Sequence, residues 1–102
     1  MRRVSGIRFD PERAEVRTLL RSAPLRGARL LEVGCGDGRL TRRIAGAARY
    51  VVGIDPDRDQ IARAKEFTSR MLRRRVRYEV GAAEDLPFGP RAFDVVLFSW
   101  SL

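Results

Sequence analysis

Three glycines stand at alternate positions, Gly34, Gly36 and Gly38, directly behind an apolar run that carries a single acid, Glu32. A second acid, Asp55, ends another apolar run, Tyr50 to Ile54, and is followed by Pro56. Residues without a Cβ tolerate positive φ and let a ligand come close to the backbone. The stretch LLEVGCGDGRL from Leu30 to Leu40 is therefore a candidate binding loop. Dinucleotides use such a strand-to-helix turn through G-x-G-x-x-G, with pyrophosphate at the helix N-terminus. Here Gly38 falls one residue too early for that pattern, and Arg39 stands where it wants glycine. A glycine motif alone is weak, but an acid about twenty residues on favours a binding loop over a plain tight turn.

The remaining chemistry is bounded by what is missing. The chain has no histidine, so no Ser-His-Asp or Cys-His pair can form within it. Its one cysteine, Cys35, cannot make an internal disulfide and, without histidine, falls short of the ligand sets typical of zinc sites. Cys35 reads as a small filler residue, because only its place before a helix argues for a reactive thiol. The net charge of +8 is carried almost entirely by arginine. Such a balance attracts nucleic acid or another polyanion, or else it decorates solvated helix faces. The densest run, RMLRRRVRYE from Arg70 to Glu79, lies where a helix should end, and cations there also complement the helix dipole.

Those candidate residues need elements to hold them. With 102 residues, 44% hydrophobic and 33% charged, the chain suits one soluble, globular domain. It has no apolar run long enough to span a membrane. The opening MRRVSGIRFDPER does not read as a secretory signal, so a cytoplasmic location is the expectation. Asp10-Pro11 predicts a helix to about Ser22, within a helical lead-in over residues 1–28. Strands are expected at Arg29 to Val33, Tyr50 to Ile54, Val76 to Val80 and Phe93 to Ser99. A short helix is expected from Arg39 to Gly46, and a longer one after a capping box of Asp57 and Gln60. Helical spacing of Ile61, Ala64, Phe67 or Thr68, Met71 and Leu72 places Phe67 and Met71 in the core. Leu86 to Pro90 reads as a loop. Strands alternating with helices indicate βαβ units and a parallel sheet.

Taken together, four stretches resemble the class I S-adenosylmethionine-dependent methyltransferases, in the ubiquinone-biosynthesis-like branch. Glu32 to Gly38 resembles that family's E/D-x-G-x-G-x-G motif, and Val51 to Asp57 (VVGIDPD) resembles its second-strand motif ending in the ribose-binding acid. Gly81 to Phe88 (GAAEDLPF) resembles the loop beside the adenine, and Phe93 to Leu102 (FDVVLFSWSL) the fourth-strand motif. The resemblance covers the chain from about Leu30 onward.

What the resemblance implies is an α/β, Rossmann-like parallel sheet with flanking helices. About four strands in the order 3-2-1-4 would belong to a seven-stranded fold, and the chain would be the N-terminal portion of a longer methyltransferase. The cofactor would be S-adenosyl-L-methionine, bound by Glu32, Gly34, Cys35, Gly36, Gly38, Asp55, Pro56, Ala83, Glu84 and Ser99. Glu32 suits the cofactor ammonium and Asp55 the ribose hydroxyls, as charge-assisted hydrogen bonds. Many relatives carry an acid where Ala82 stands, so Glu84 or the Ala83 N–H is expected to serve the adenine; Trp100 would flank the cofactor or pack on a helix. The expected partner is a small-molecule methyl acceptor, with nucleic acid second and no membrane. The bare outer edge of the fourth strand is expected to invite self-association. Two other functions stay open at this point, a dinucleotide-binding module and a non-enzymatic basic fragment that binds nucleic acid.

Overall fold

A computed structural model describes residues 5–9 as backbone and residues 25–82 and 92–99 in full. Among the described residues five strands form one sheet: β1 (Ser5–Phe9), β2 (Arg29–Val33), β3 (Tyr50–Asp55), β4 (Val76–Val80) and β5 (Val95–Ser99). Every pairing is parallel and the spatial order is β1-β5-β2-β3-β4. Counting from β2, this is the expected 3-2-1-4 arrangement. Apart from Glu32, the central runs LLEV and VVGI carry no polar side chain and do not alternate, because both faces of a parallel sheet are covered. On one face Leu30, Val51, Val95 and Leu97 pack with Leu40 and Ile44 of helix α1 (Arg39–Ile44). On the other, Leu31, Val52 and Ile54 pack with Phe93. Helix α2 (Arg58–Phe67) adds Ile61 and Ala64 against Cys35 and Tyr78.

Local chemistry sets the ends of these elements. Asp57 caps α2 by accepting from the Asp59 and Gln60 N–H groups. The reciprocal half of the capping box does not form, since the Asp57 N–H donates to Asp55 Oδ1 and Gln60 Oε1 accepts from Arg63. Asp94 clamps the start of β2 to the start of β5: its carboxylate accepts from the Arg29 backbone N–H and from both Nε and Nη2 of the same arginine.

Several expectations are corrected. The fourth strand begins at Val95 rather than Phe93, which is a buried core residue just before it. α1 stops at Ile44, two residues short of Gly46. α2 stops at Phe67, so helical spacing does not continue to Met71; Phe67 is 55% and Met71 82% exposed rather than core. The cause lies at Thr68, which is buried and extended (φ −84°, ψ 123°). Its hydroxyl donates to the Ala64 carbonyl at 2.7 Å and so receives the Tyr78 hydroxyl at 2.8 Å, turning the chain toward β4. Phe67 lies instead under the Arg42 guanidinium, 5.5 Å from the ring centroid.

The lead-in is not helical throughout: Ser5–Phe9 is β1, paired with β5 from Ser5↔Val95 to Phe9↔Ser99. The outer edge of β5, expected to be bare, therefore has its backbone groups paired. The helix expected from Asp10 and the Leu86 to Pro90 loop lie outside the described residues. Among the described residues no helix is long and apolar enough to cross a membrane.

Candidate functional site

The site grows from the carboxyl ends of β2 and β3. Between β2 and α1 the backbone is left-handed at Gly34 (φ 83°), Gly36 (φ 55°) and Gly38 (φ 80°), conformations that side chains with a Cβ rarely adopt. The three are not equivalent. A Cβ at Gly38 would sit 2.6 Å from the Tyr78 hydroxyl, so this glycine lets the loop close onto β4. A Cβ at Gly36 would meet nothing within 4 Å, so open space lies beside the loop there.

Hydrogen bonds tie this loop to β3. The Gly34 and Cys35 N–H groups both donate to the Ile54 carbonyl, at 2.8 and 3.0 Å. The Gly36 N–H donates to Asp55 Oδ2 at 2.9 Å, while Asp55 Oδ1 accepts from the Asp57 N–H at 2.8 Å. Each oxygen of Asp55 thus accepts one backbone proton, and a carboxylate has lone pairs for more. Asp55 is half-buried beside the open space at Gly36, and Pro56 follows it, exposed.

Glu32 lies deeper, 1% exposed. Thr41 Oγ1 donates to one of its oxygens at 2.5 Å and Ser99 Oγ to the other at 2.6 Å. Burial pushes its pKa up to about 7, against the two hydroxyls that favour its charge, and the Asp55 carboxylate adds to the rise. Cys35 is buried with Sγ 3.7 Å from the Gly36 carbonyl, and burial pushes its thiol well up, so it is an inert filler. Among the described residues no cluster suits a metal ion.

Of the residues named from the sequence, the fold brings together Glu32, Gly34, Cys35, Gly36, Gly38, Asp55 and Ser99. Ala83, Glu84 and Trp100 lie outside the described residues. Thr41 was missed, although a signal existed: an acid inside a buried strand requires donors, and the helix that follows carries one hydroxyl between Leu40 and Ile44. The bond from the Gly36 N–H to Asp55 was missed as well, because no sequence spacing encodes a loop-to-side-chain contact.

The acidic groups discriminate between ligands. Asp55, and Glu32 in its ionised form, lie beside and beneath one loop and disfavour a pyrophosphate there, while Asp37 is paired with Arg39. Asp55 and Glu32 suit a ligand with vicinal hydroxyls and a cationic group, which S-adenosylmethionine offers.

Comparison with known proteins agrees. A family described as a methyltransferase domain matches residues 30–102, and the chain belongs to that family. It is 39% identical over 74 residues to a ubiquinone biosynthesis O-methyltransferase of Azorhizobium caulinodans, covering 72% of this chain and 29% of that protein. The chain thus spans less than a third of that curated relative's length. Among solved structures it resembles an S-adenosylmethionine dependent methyltransferase from Mesorhizobium loti (26% identity, TM-score 0.67, 84% of this chain and 37% of that one). It also resembles phosphoethanolamine N-methyltransferase 1 of Haemonchus contortus in complex with phosphoethanolamine and S-adenosylhomocysteine (27% identity, TM-score 0.67, 84% and 18%).

Proposed function

We propose that this chain forms the cofactor-holding part of an S-adenosylmethionine-dependent methyltransferase whose acceptor is a small molecule. The observation that carries the reading is Asp55, which fastens the glycine loop through the Gly36 N–H and keeps acceptor capacity beside open space. When bound, the cofactor supplies a methyl group activated by a positively charged sulfur.

The chain's own residues bind and orient. Asp55 accepts the two ribose hydroxyls, with its orientation already set by the Gly36 and Asp57 N–H groups. The absence of a Cβ at Gly34 and Gly36 lets the cofactor lie against the backbone, and Cys35 fills the space behind it. Glu32, held by Thr41 and Ser99, carries negative charge beneath the loop in its ionised form, which the cofactor's ammonium favours. Pro56, Ala83 and Glu84 are assigned to the adenosine side by the family motif they match. The acceptor then needs only to lie in line with the methyl in a site closed to water. That relatives are named O-methyltransferases supports a hydroxyl acceptor, and a single buried thiol fits a reducing, cytoplasmic setting. The 102 residues act here as one portion of a single methyltransferase domain.

Titrating S-adenosylhomocysteine into the chain by calorimetry tests this. Hydrogen bonds to a charged acceptor contribute about 1.5–3 kcal/mol each. Asp55→Ala should therefore weaken binding by roughly tenfold to a hundredfold or more. Asp57→Ala should leave affinity near that of the parent and lower thermal stability by about 1 kcal/mol through the lost cap. If NAD binds and S-adenosylhomocysteine does not, the methyltransferase reading falls. If Asp57→Ala alone loses affinity, the acid is misassigned.

A further inference from the structure

At the opposite end of the strands from the glycine loop, four arginines line one recess. A half-open cavity of about 470 Å³ is lined by Arg73, Arg74, Arg75 and Arg77, with Tyr50 and Phe93 among its other walls. Among the described residues none that lines it is acidic. Arg73 donates to the Thr68 and Lys65 carbonyls and Arg75 lies 3.4 Å from the Gly46 and Ala48 carbonyls, contacts that orient the side chains without neutralising them. Arg77 is paired with Glu79; among the described residues no carboxylate pairs with the other three. Exposed Arg49 and Arg70 extend the positive charge beyond the cavity, on the segments entering β3 and the 3₁₀ turn Leu72–Arg74.

From this arrangement we infer a second binding site, which holds the phosphodiester backbone of single-stranded nucleic acid. Guanidinium groups match phosphate oxygens in a planar, two-pronged geometry that lysine lacks. The exposed arginines surround a recess rather than one flat face, a shape that a phosphate strand follows more closely than a bilayer surface does. The charge extending past the cavity favours a polymer over a single small anion. Tyr50 opens β3 and Asp55 closes it, which at about 3.3 Å per residue separates this site from the cofactor crevice by about 16 Å. Nucleic acid bound here is tethered to the protein and is not presented to the methyl group.

Fluorescence anisotropy of a labelled 12-nucleotide single-stranded RNA against the full chain tests the site, with circular dichroism to verify folding. Nonspecific affinity should be on the order of micromolar in dilute salt, with a logarithmic salt slope of about −3 if four phosphates are neutralised. The double variant Arg74→Gln, Arg77→Gln should lose about tenfold in affinity and roughly halve that slope. The charge-matched double variant Arg58→Gln, Arg63→Gln, on exposed α2, should change affinity less than twofold. Equal losses in the two variants would show a diffuse effect of net charge and overturn the site. So would binding to phosphatidylglycerol vesicles with no binding to the RNA.

Discussion

A carboxylate in the middle of a buried strand is costly unless donors meet it, and Glu32 meets two hydroxyls from elements far apart in the chain. Its native pKa of about 7 stands above its ordinary 4.5, so the folded state holds this proton more tightly than the unfolded one. The stabilisation tied to the proton is therefore complete below about pH 4.5, declines as the pH rises toward about 7, and is lost above that. The glutamine variant Glu32→Gln removes the titration. Melts recorded from pH 5 to pH 8 should show the parent losing more stability across that range than the variant. Thr41→Val removes one donor to the charged form and should steepen the parent's decline. Parallel curves for parent and Glu32→Gln would mean that Glu32 titrates near its ordinary value.

Among the elements, the turn from β2 into α1 is where backbone conformation and packing meet. Gly38 combines a positive φ with a Cβ position 2.6 Å from the Tyr78 hydroxyl and 3.1 Å from the Ala64 methyl. Gly38→Ala should cost about 2–4 kcal/mol, strain plus overpacking, and should disturb the Tyr78–Thr68 hydrogen bond. Gly36→Ala carries only the strain, about 1–2 kcal/mol, but its methyl group enters the space where the cofactor is proposed to lie. Denaturant melts beside S-adenosylhomocysteine titrations separate the two: Gly38→Ala should be the less stable and Gly36→Ala the one whose affinity falls further than its stability explains. This turn was legible in the sequence because its glycines, its acid and the flanking apolar runs are local signals. The end of α2 was not. Apolar residues at helical spacing continue through Met71, and only the tertiary contact between Thr68 and Tyr78 shows that the helix has already ended. β1 was illegible for a related reason, since its partner lies at Val95–Ser99 and parallel pairing leaves no hairpin turn to read.

At the scale of the whole sheet, the consequence of β1 is that among the described residues the two outer strands are β1 and β4. β5 carries the alternating burial of Val95, Leu97 and Ser99, and Ser99 reaches Glu32 beneath the glycine loop. An unpaired β5 would offer a row of backbone donors and acceptors to another copy of the chain. β4 is protected differently, with Arg77 and Glu79 as charged residues along the edge. Deleting residues 1–9 should therefore turn a monomer into a species whose mass, by light scattering, rises with concentration. S-adenosylhomocysteine affinity should fall as well, because Ser99 loses the strand that steadies it on its outer side. If the shortened chain stays monomeric and binds as the parent does, another segment covers β5 and β1 is dispensable. If the full chain already associates with the deletion adding nothing, β1 does not hold the edge in solution, and the bare-edge expectation from the sequence is restored.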